Sequence, residues 1–138
     1  MYSNHKGFTL TELMITVAVL AILLSIAIPV YSNQQKKNRL EEARAALIEN
    51  VYFMEQFYIK KRTFKQNSTT WPTLPRKATN YFDISFTSSA KQELPNRYKL
   101  RASPNSSYSS RENRFLEIDH HGNVQICTKE RSRKCKSF

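Results

Sequence analysis

From Phe8 to Val30 the chain runs for 23 residues made mostly of Leu, Ile, Val and Ala, with Glu12 as the only charge. A helix of that length rises about 1.5 Å per residue and crosses the roughly 30 Å hydrocarbon core of a bilayer. Residues 8–30 are therefore expected to form the membrane half of a helix. Pro29 removes a backbone donor and crowds the preceding turn, which predicts a kink or local melting there. An ionised carboxylate near the centre of a spanning helix costs about 2.5–3.5 kcal/mol on insertion scales, and less toward an end. Glu12 thus either lies near the interface and snorkels outward or meets a cationic partner. A conventional signal peptide competes for this segment, since Ser25-Ile26-Ala27 imitates a small-residue cleavage site. The length of the run, Glu12 at its start and Pro29 just past the supposed cut oppose that reading.

Beyond the apolar run a helical period continues. Leu40, Ala43, Leu47, Val51, Met54 and Tyr58 recur at steps of three or four, the pattern of a core-facing stripe. Lys36, Lys37, Arg39, Glu41, Glu42, Arg44, Glu49 and Glu55 make the solvated side, with Glu41 and Arg44 spaced to pair. Fraying is expected near Lys60-Lys61-Arg62, where cations suit the helix C-terminus. Residues 63–80 read as a long connection, with Pro72 and Pro75 excluding a regular central strand. Alternation then begins at Phe82-Ile84-Phe86 and returns at Tyr98-Leu100-Ala102, at Leu116-Ile118 and, after a His121-Gly122-Asn123 turn, at Val124-Ile126. Ser103 to Asn113 is rich in Ser and Asn and reads as a mobile loop. The stripe needs a surface and the half-apolar sheet needs a cover. The predicted fold is α+β: a long N-terminal helix, membrane half plus amphipathic half, packed on a four-stranded antiparallel meander.

Composition narrows the chemistry. Only two Gly occur, and neither GxGxxG nor GxxxxGK[ST] is present, which argues against a glycine-cradled nucleotide site. No arrangement of Ser, His and Asp identifies a nucleophile with its base, and Asp119-His120 would diverge in a strand, so an enzyme is not expected. His120 and His121 would likewise point to opposite strand faces. A zinc site at Cys127 and Cys135 would need further ligands, and no metal or cofactor is expected. An export segment followed by two nearby cysteines suggests a disulfide formed outside the cytoplasm. The net charge is +11. It is uneven: Phe8 to Arg62 carries seven basic and five acidic residues, Thr63 to Phe138 fourteen and six. The basic excess belongs to the loop, sheet and tail, where Lys129, Arg131, Arg133, Lys134 and Lys136 face one acid, Glu130. Such a cluster is a solvated surface, a contact to acidic neighbours, or a polyanion site with steep salt dependence.

Lys6-Gly7, Phe8 and Glu12, with the apolar run behind them, resemble the processing site and membrane helix of the type IV pilin family. The resemblance implies a leader, residues 1–7, cut between Gly7 and Phe8 by a prepilin peptidase, and N-methylation of Phe8. It implies that Glu12 pairs with the Phe8 amine of a neighbouring subunit during assembly. It further implies a single-pass inner-membrane protein before assembly, then a cell-surface pilus whose periplasmic or extracellular head is residues 31–138. Pilins of this family carry a C-terminal region closed by a disulfide, a role that falls to Cys127 and Cys135. A closer similarity covers residues 39–77. Arg44-Ala45-Ala46-Leu47-Ile48-Glu49-Asn50, Phe53 to Tyr58, Thr63 to Gln66 and Trp71-Pro72-Thr73-Leu74-Pro75 resemble the minor pilins that serve as DNA receptors in natural transformation. It implies binding of double-stranded DNA, for which Arg76, Lys77, Lys129, Arg131, Arg133, Lys134 and Lys136 are the candidate phosphate contacts. Those pilins are expected to carry more cysteines than the two here. Trp71, followed by Pro72 and Pro75, reads as a rigid loop plug ahead of base stacking. A structural or adhesion-modulating minor pilin is the alternative. A secretion pseudopilin is a third reading, although no dense carboxylate cluster suggests its calcium site.

Overall fold

The computed structural model describes residues 7–130 and 133–138. Positions 1–6 of the expected leader and the candidate contact Arg131 lie outside the described residues. The chain divides into two compact units, one ending at Asn38 and the other comprising Arg39–Phe138. The helix α1, Leu10–Lys61, contributes to both.

In the first unit α1 opens on a reciprocal cap. Thr9 and Glu12 have the spacing in which a hydroxyl and a carboxylate satisfy the first free backbone donors of a helix. The Glu12 backbone N–H donates to Thr9 Oγ1 at 3.3 Å, and Glu12 Oε2 accepts from the Thr9 N–H at 3.2 Å. The expected local melting at Pro29 is absent, because helix continues through it. Thr16 and Ser25 turn their hydroxyls onto the carbonyls of Leu13 and Ile22, so neither leaves a bare polar group in the apolar run. The side chains from Leu10 to Val30 are exposed. Among the described residues this is one helix long and apolar enough to cross a membrane.

The second unit holds the core. Of the expected stripe Leu40, Ala43, Leu47, Val51 and Met54 are buried on α1, joined by Ala46, while Tyr58 is half-buried. They pack with Phe82, Ile84, Leu100, Ala102, Leu116 and Ile118 in one cluster. These come from alternate positions of β1 (Phe82–Phe86), β2 (Lys99–Pro104) and β3 (Arg114–Asp119). The sheet continues through β4 (Val124–Thr128) and β5 (Lys134–Ser137), in the order β1-β2-β3-β4-β5, antiparallel throughout. The four-stranded expectation is therefore corrected to five strands among the described residues. Strand β5, Lys-Cys-Lys-Ser, is exposed at every position and has no apolar alternation. Its register comes from backbone pairing to β4 and from the Cys127–Cys135 disulfide, which joins directly opposed residues.

Two further expectations are corrected. Ser103 to Asn113 is tied down: Tyr108 is 2% exposed, and the Asn105 side chain bonds both Asn80 O and the Tyr108 N–H. His120 lies in the β3–β4 turn and not in a strand, so its ring meets that of His121 at 4.0 Å instead of diverging. In that turn Gly122 adopts a φ of 81°, a region that favours glycine. Asp119 accepts from the backbone N–H groups of His121 and Asn123.

Candidate nucleic-acid interface

The candidate cations fall into three places. Asn50, fully buried on α1, donates from Nδ2 to the Arg76 carbonyl at 2.7 Å and accepts the Arg76 N–H at 3.1 Å. A single side chain thereby fixes the long connection to the helix. The Arg76 guanidinium meets Glu49 at 3.2 Å with both groups about half exposed, so its charge is partly answered. Lys77 borders a hollow of about 230 Å³ with Trp71, Leu74, Ile84 and Phe86. Trp71 stacks on Phe86 at 4.5 Å and donates from Nε1 to the Ser88 carbonyl. One ring face and its one donor are used inside the protein, and the residue is half-buried at the rim of the hollow.

The tail cations separate by strand alternation. Lys134 is opposite Thr128, which is opposite Arg114; Lys136 is opposite Ile126, which is opposite Leu116. These rows lie on the helix-side face, and Arg114, Lys134 and Lys136 border one open hollow of about 390 Å³ with Ile126, Thr128 and Glu130. Arg114 is held by Glu112, a buried carboxylate, through paired contacts of 2.7 Å. Hydrogen bonding to Glu112 outweighs burial and holds the Arg114 guanidinium firmly protonated. Lys134 and Lys136 are exposed, and neither forms an ion pair among the described residues. Lys129 extends from the end of β4, where its backbone N–H bonds Asn113 O.

Arg133 lies on the other face. Its guanidinium bonds Glu117, which also holds Arg101 at 2.7 Å. The structure thus brings together Lys134 and Lys136, adds Arg114 to them, and separates Arg133 and the Arg76–Lys77 pair. Arg114, Arg101 and Asn50 were missed as site residues. The signal for the arginines was register, which no period reveals when Arg alternates with apolar residues in a strand. At the other end of the chain Gly7 has open space around it and Phe8 is 81% exposed.

A half-apolar antiparallel sheet under the amphipathic half of an N-terminal helix, with a disulfide across its last hairpin, is the architecture of type IV pilins. The non-core minor pilin PilV of Neisseria meningitidis shares it, with a TM-score of 0.56 at 23% identity over 72% of this chain and 93% of that one. Residues 2–28 match the prokaryotic N-terminal methylation motif, and residues 29–114 match the family described as type IV minor pilin ComP, DNA uptake sequence receptor. The chain belongs to this ComP family of minor pilins. The solution structure of the minor DNA-uptake pilin ComP from Neisseria subflava has a TM-score of 0.55 at 38% identity, over 68% of this chain and 77% of that one. The wide-pilus major component PilA4 of Thermus thermophilus is 34% identical over 55% of this chain, and the major pilin PilE1 of Neisseria gonorrhoeae 30% over 51%. The match spans 58% and 42% of their lengths.

Proposed function

We propose that this chain is a minor pilin that enters a type IV pilus and binds extracellular double-stranded DNA through the edge of its sheet, for uptake in natural transformation. The observation that carries the reading is the convergence of Lys134, Lys136 and Arg114 on one open hollow at the edge of a ComP-family head. Lysines on an exposed edge strand also discourage pairing with another sheet, so their charge serves solubility and an anionic partner together. Phosphate contacts of this kind supply affinity without reading bases.

The leader would end at Gly7 and the mature chain begin at Phe8, which a methyltransferase would modify. The freed amine would lie one residue from the Thr9–Glu12 cap. Glu12 is then shared between closing its own helix and meeting the amine of a neighbouring subunit, a competition between intrachain and interchain partners. Cleavage and assembly would carry the protein from the inner membrane to the cell surface.

The test is retention of the full chain, in non-ionic micelles, on immobilised duplex. Lys134→Gln/Lys136→Gln should elute at markedly lower salt than the wild type. Lys36→Gln/Lys37→Gln, equal in charge but placed on α1, should elute with the wild type. Equal loss in both variants would show that only net charge matters and would favour the structural minor pilin.

A further inference from the structure

Glu117, in the middle of β3, is a carboxylate buried on the face of the sheet away from the helix, with its side chain 3% exposed. Burying such a charge is costly unless it is paired and hydrogen-bonded. Its Oε1 accepts from Arg101 Nε at 2.8 Å and from the terminal nitrogen at 2.7 Å. Its Oε2 accepts from Arg133, and Lys99 Nζ lies 3.9 Å away. Both guanidiniums lie over the buried ring of Phe115, at 4.8 and 5.5 Å. One arginine would neutralise Glu117; three cations surround it. A guanidinium carries five donors in a rigid fork. Arg101 spends two on Glu117 and Arg133 one, and their side chains remain 36% and 50% exposed. The result is two flat, fixed guanidiniums with donors left over and a surplus of positive charge. A simple structural ion pair needs no such surplus, whereas recognition of a phosphate does.

We propose that Glu117 is a positioning residue that holds Arg101 and Arg133 as a two-guanidinium receptor for a phosphodiester of the DNA backbone. The inference rests on the DNA-receptor reading above and adds a second contact region, on the opposite face from Lys134 and Lys136. It also explains why a basic tail is stapled to β4: the disulfide joins Cys127 to Cys135, two residues beyond Arg133, and so keeps Arg133 within reach of a carboxylate on β3.

Glu117→Gln separates positioning from net charge. It makes the protein more positive, so a surface that attracts DNA by charge alone would bind more tightly. Positioning requires weaker binding, by about three- to tenfold, in a protein whose near-UV circular dichroism is unchanged. The measurement is fluorescence anisotropy of the full chain in non-ionic micelles with a labelled duplex across a salt series. Arg101→Gln/Arg133→Gln should flatten the log–log salt slope by about 0.9 for each phosphate no longer neutralised. Should Glu117→Gln fail to fold, Arg133→Gln, which leaves Arg101 on Glu117, decides by its slope. Glu117→Gln binding as tightly as wild type, or an unchanged slope in the arginine variants, overturns the proposal while leaving the Lys134–Lys136 site intact. Wild type that binds no duplex overturns both. Heparin fragments bound more tightly than duplex, with the same dependence on Arg101 and Arg133, would overturn the assignment to DNA.

Discussion

Arg62 follows the last turn of α1 with a φ of 59°, and its N–H bonds Tyr58 O. That is the left-handed cap glycine usually occupies, and an L side chain is strained there. Arg62→Gly should raise stability by about 0.5–1 kcal/mol, read from the shift in denaturant midpoint. At Asp119 burial opposes ionisation, yet the hydrogen bonds from Asn123 and His121 prevail and hold the carboxyl below its usual range. At His120 burial, then His121 and Arg97, push the imidazole down against the pull of Asp119 and Glu93. Both groups favour the deprotonated form in the folded turn. Their stabilisation is complete above the ordinary imidazole range, near pH 6.5, and is lost on acidification, first at His120 and then at Asp119. Melting temperatures measured from pH 7 to 3 should fall less steeply in Asp119→Asn/His120→Gln than in wild type. Thr9 shows how a residue can be legible and still missed. Thr-x-x-Glu is a cap in any helix, but a carboxylate at the mouth of an apolar run draws attention to charge first.

The elements were legible where one physical signal dominated. The stripe from Leu40 to Met54 and the alternation in β1 to β4 both arise from a buried face, and burial leaves a period. Strand β5 buries nothing, so its place depends on the disulfide and on β4, which leave no pattern in Lys-Cys-Lys-Ser. Reduction of Cys127–Cys135 should therefore release β5 before the rest of the sheet. Hydrogen exchange with and without reductant should show protection abolished at Lys134–Ser137 and retained in β2 and β3. The chain-entropy value of so short a loop is about 2–3 kcal/mol. Asn50 makes the opposite point, a buried polar residue inside an apolar stripe whose reason appears only when the connection folds back onto it. Asn50→Ala leaves both Arg76 backbone groups without their partner and should cost about 2–3 kcal/mol in chemical unfolding.

For the whole molecule, the basic excess of the sheet and tail was readable from sequence, but its division was not. A cluster of cations close in sequence became two groups on opposite faces, because side chains alternate along a strand. Lys134 and Lys136 join Arg114; Arg133 joins Arg101 at Glu117. The central claim is that the Lys134–Lys136 group, at the sheet edge of a pilin head, meets the DNA backbone. The measurement that tests it most directly is the affinity of the full wild-type chain for duplex DNA as a function of salt. A linear log–log plot with a slope of about −3 to −5, flattened by Lys134→Gln/Lys136→Gln, is the result expected for several phosphates neutralised at about 0.9 each. Absence of binding at low salt, or a slope that the substitutions leave unchanged, would contradict it.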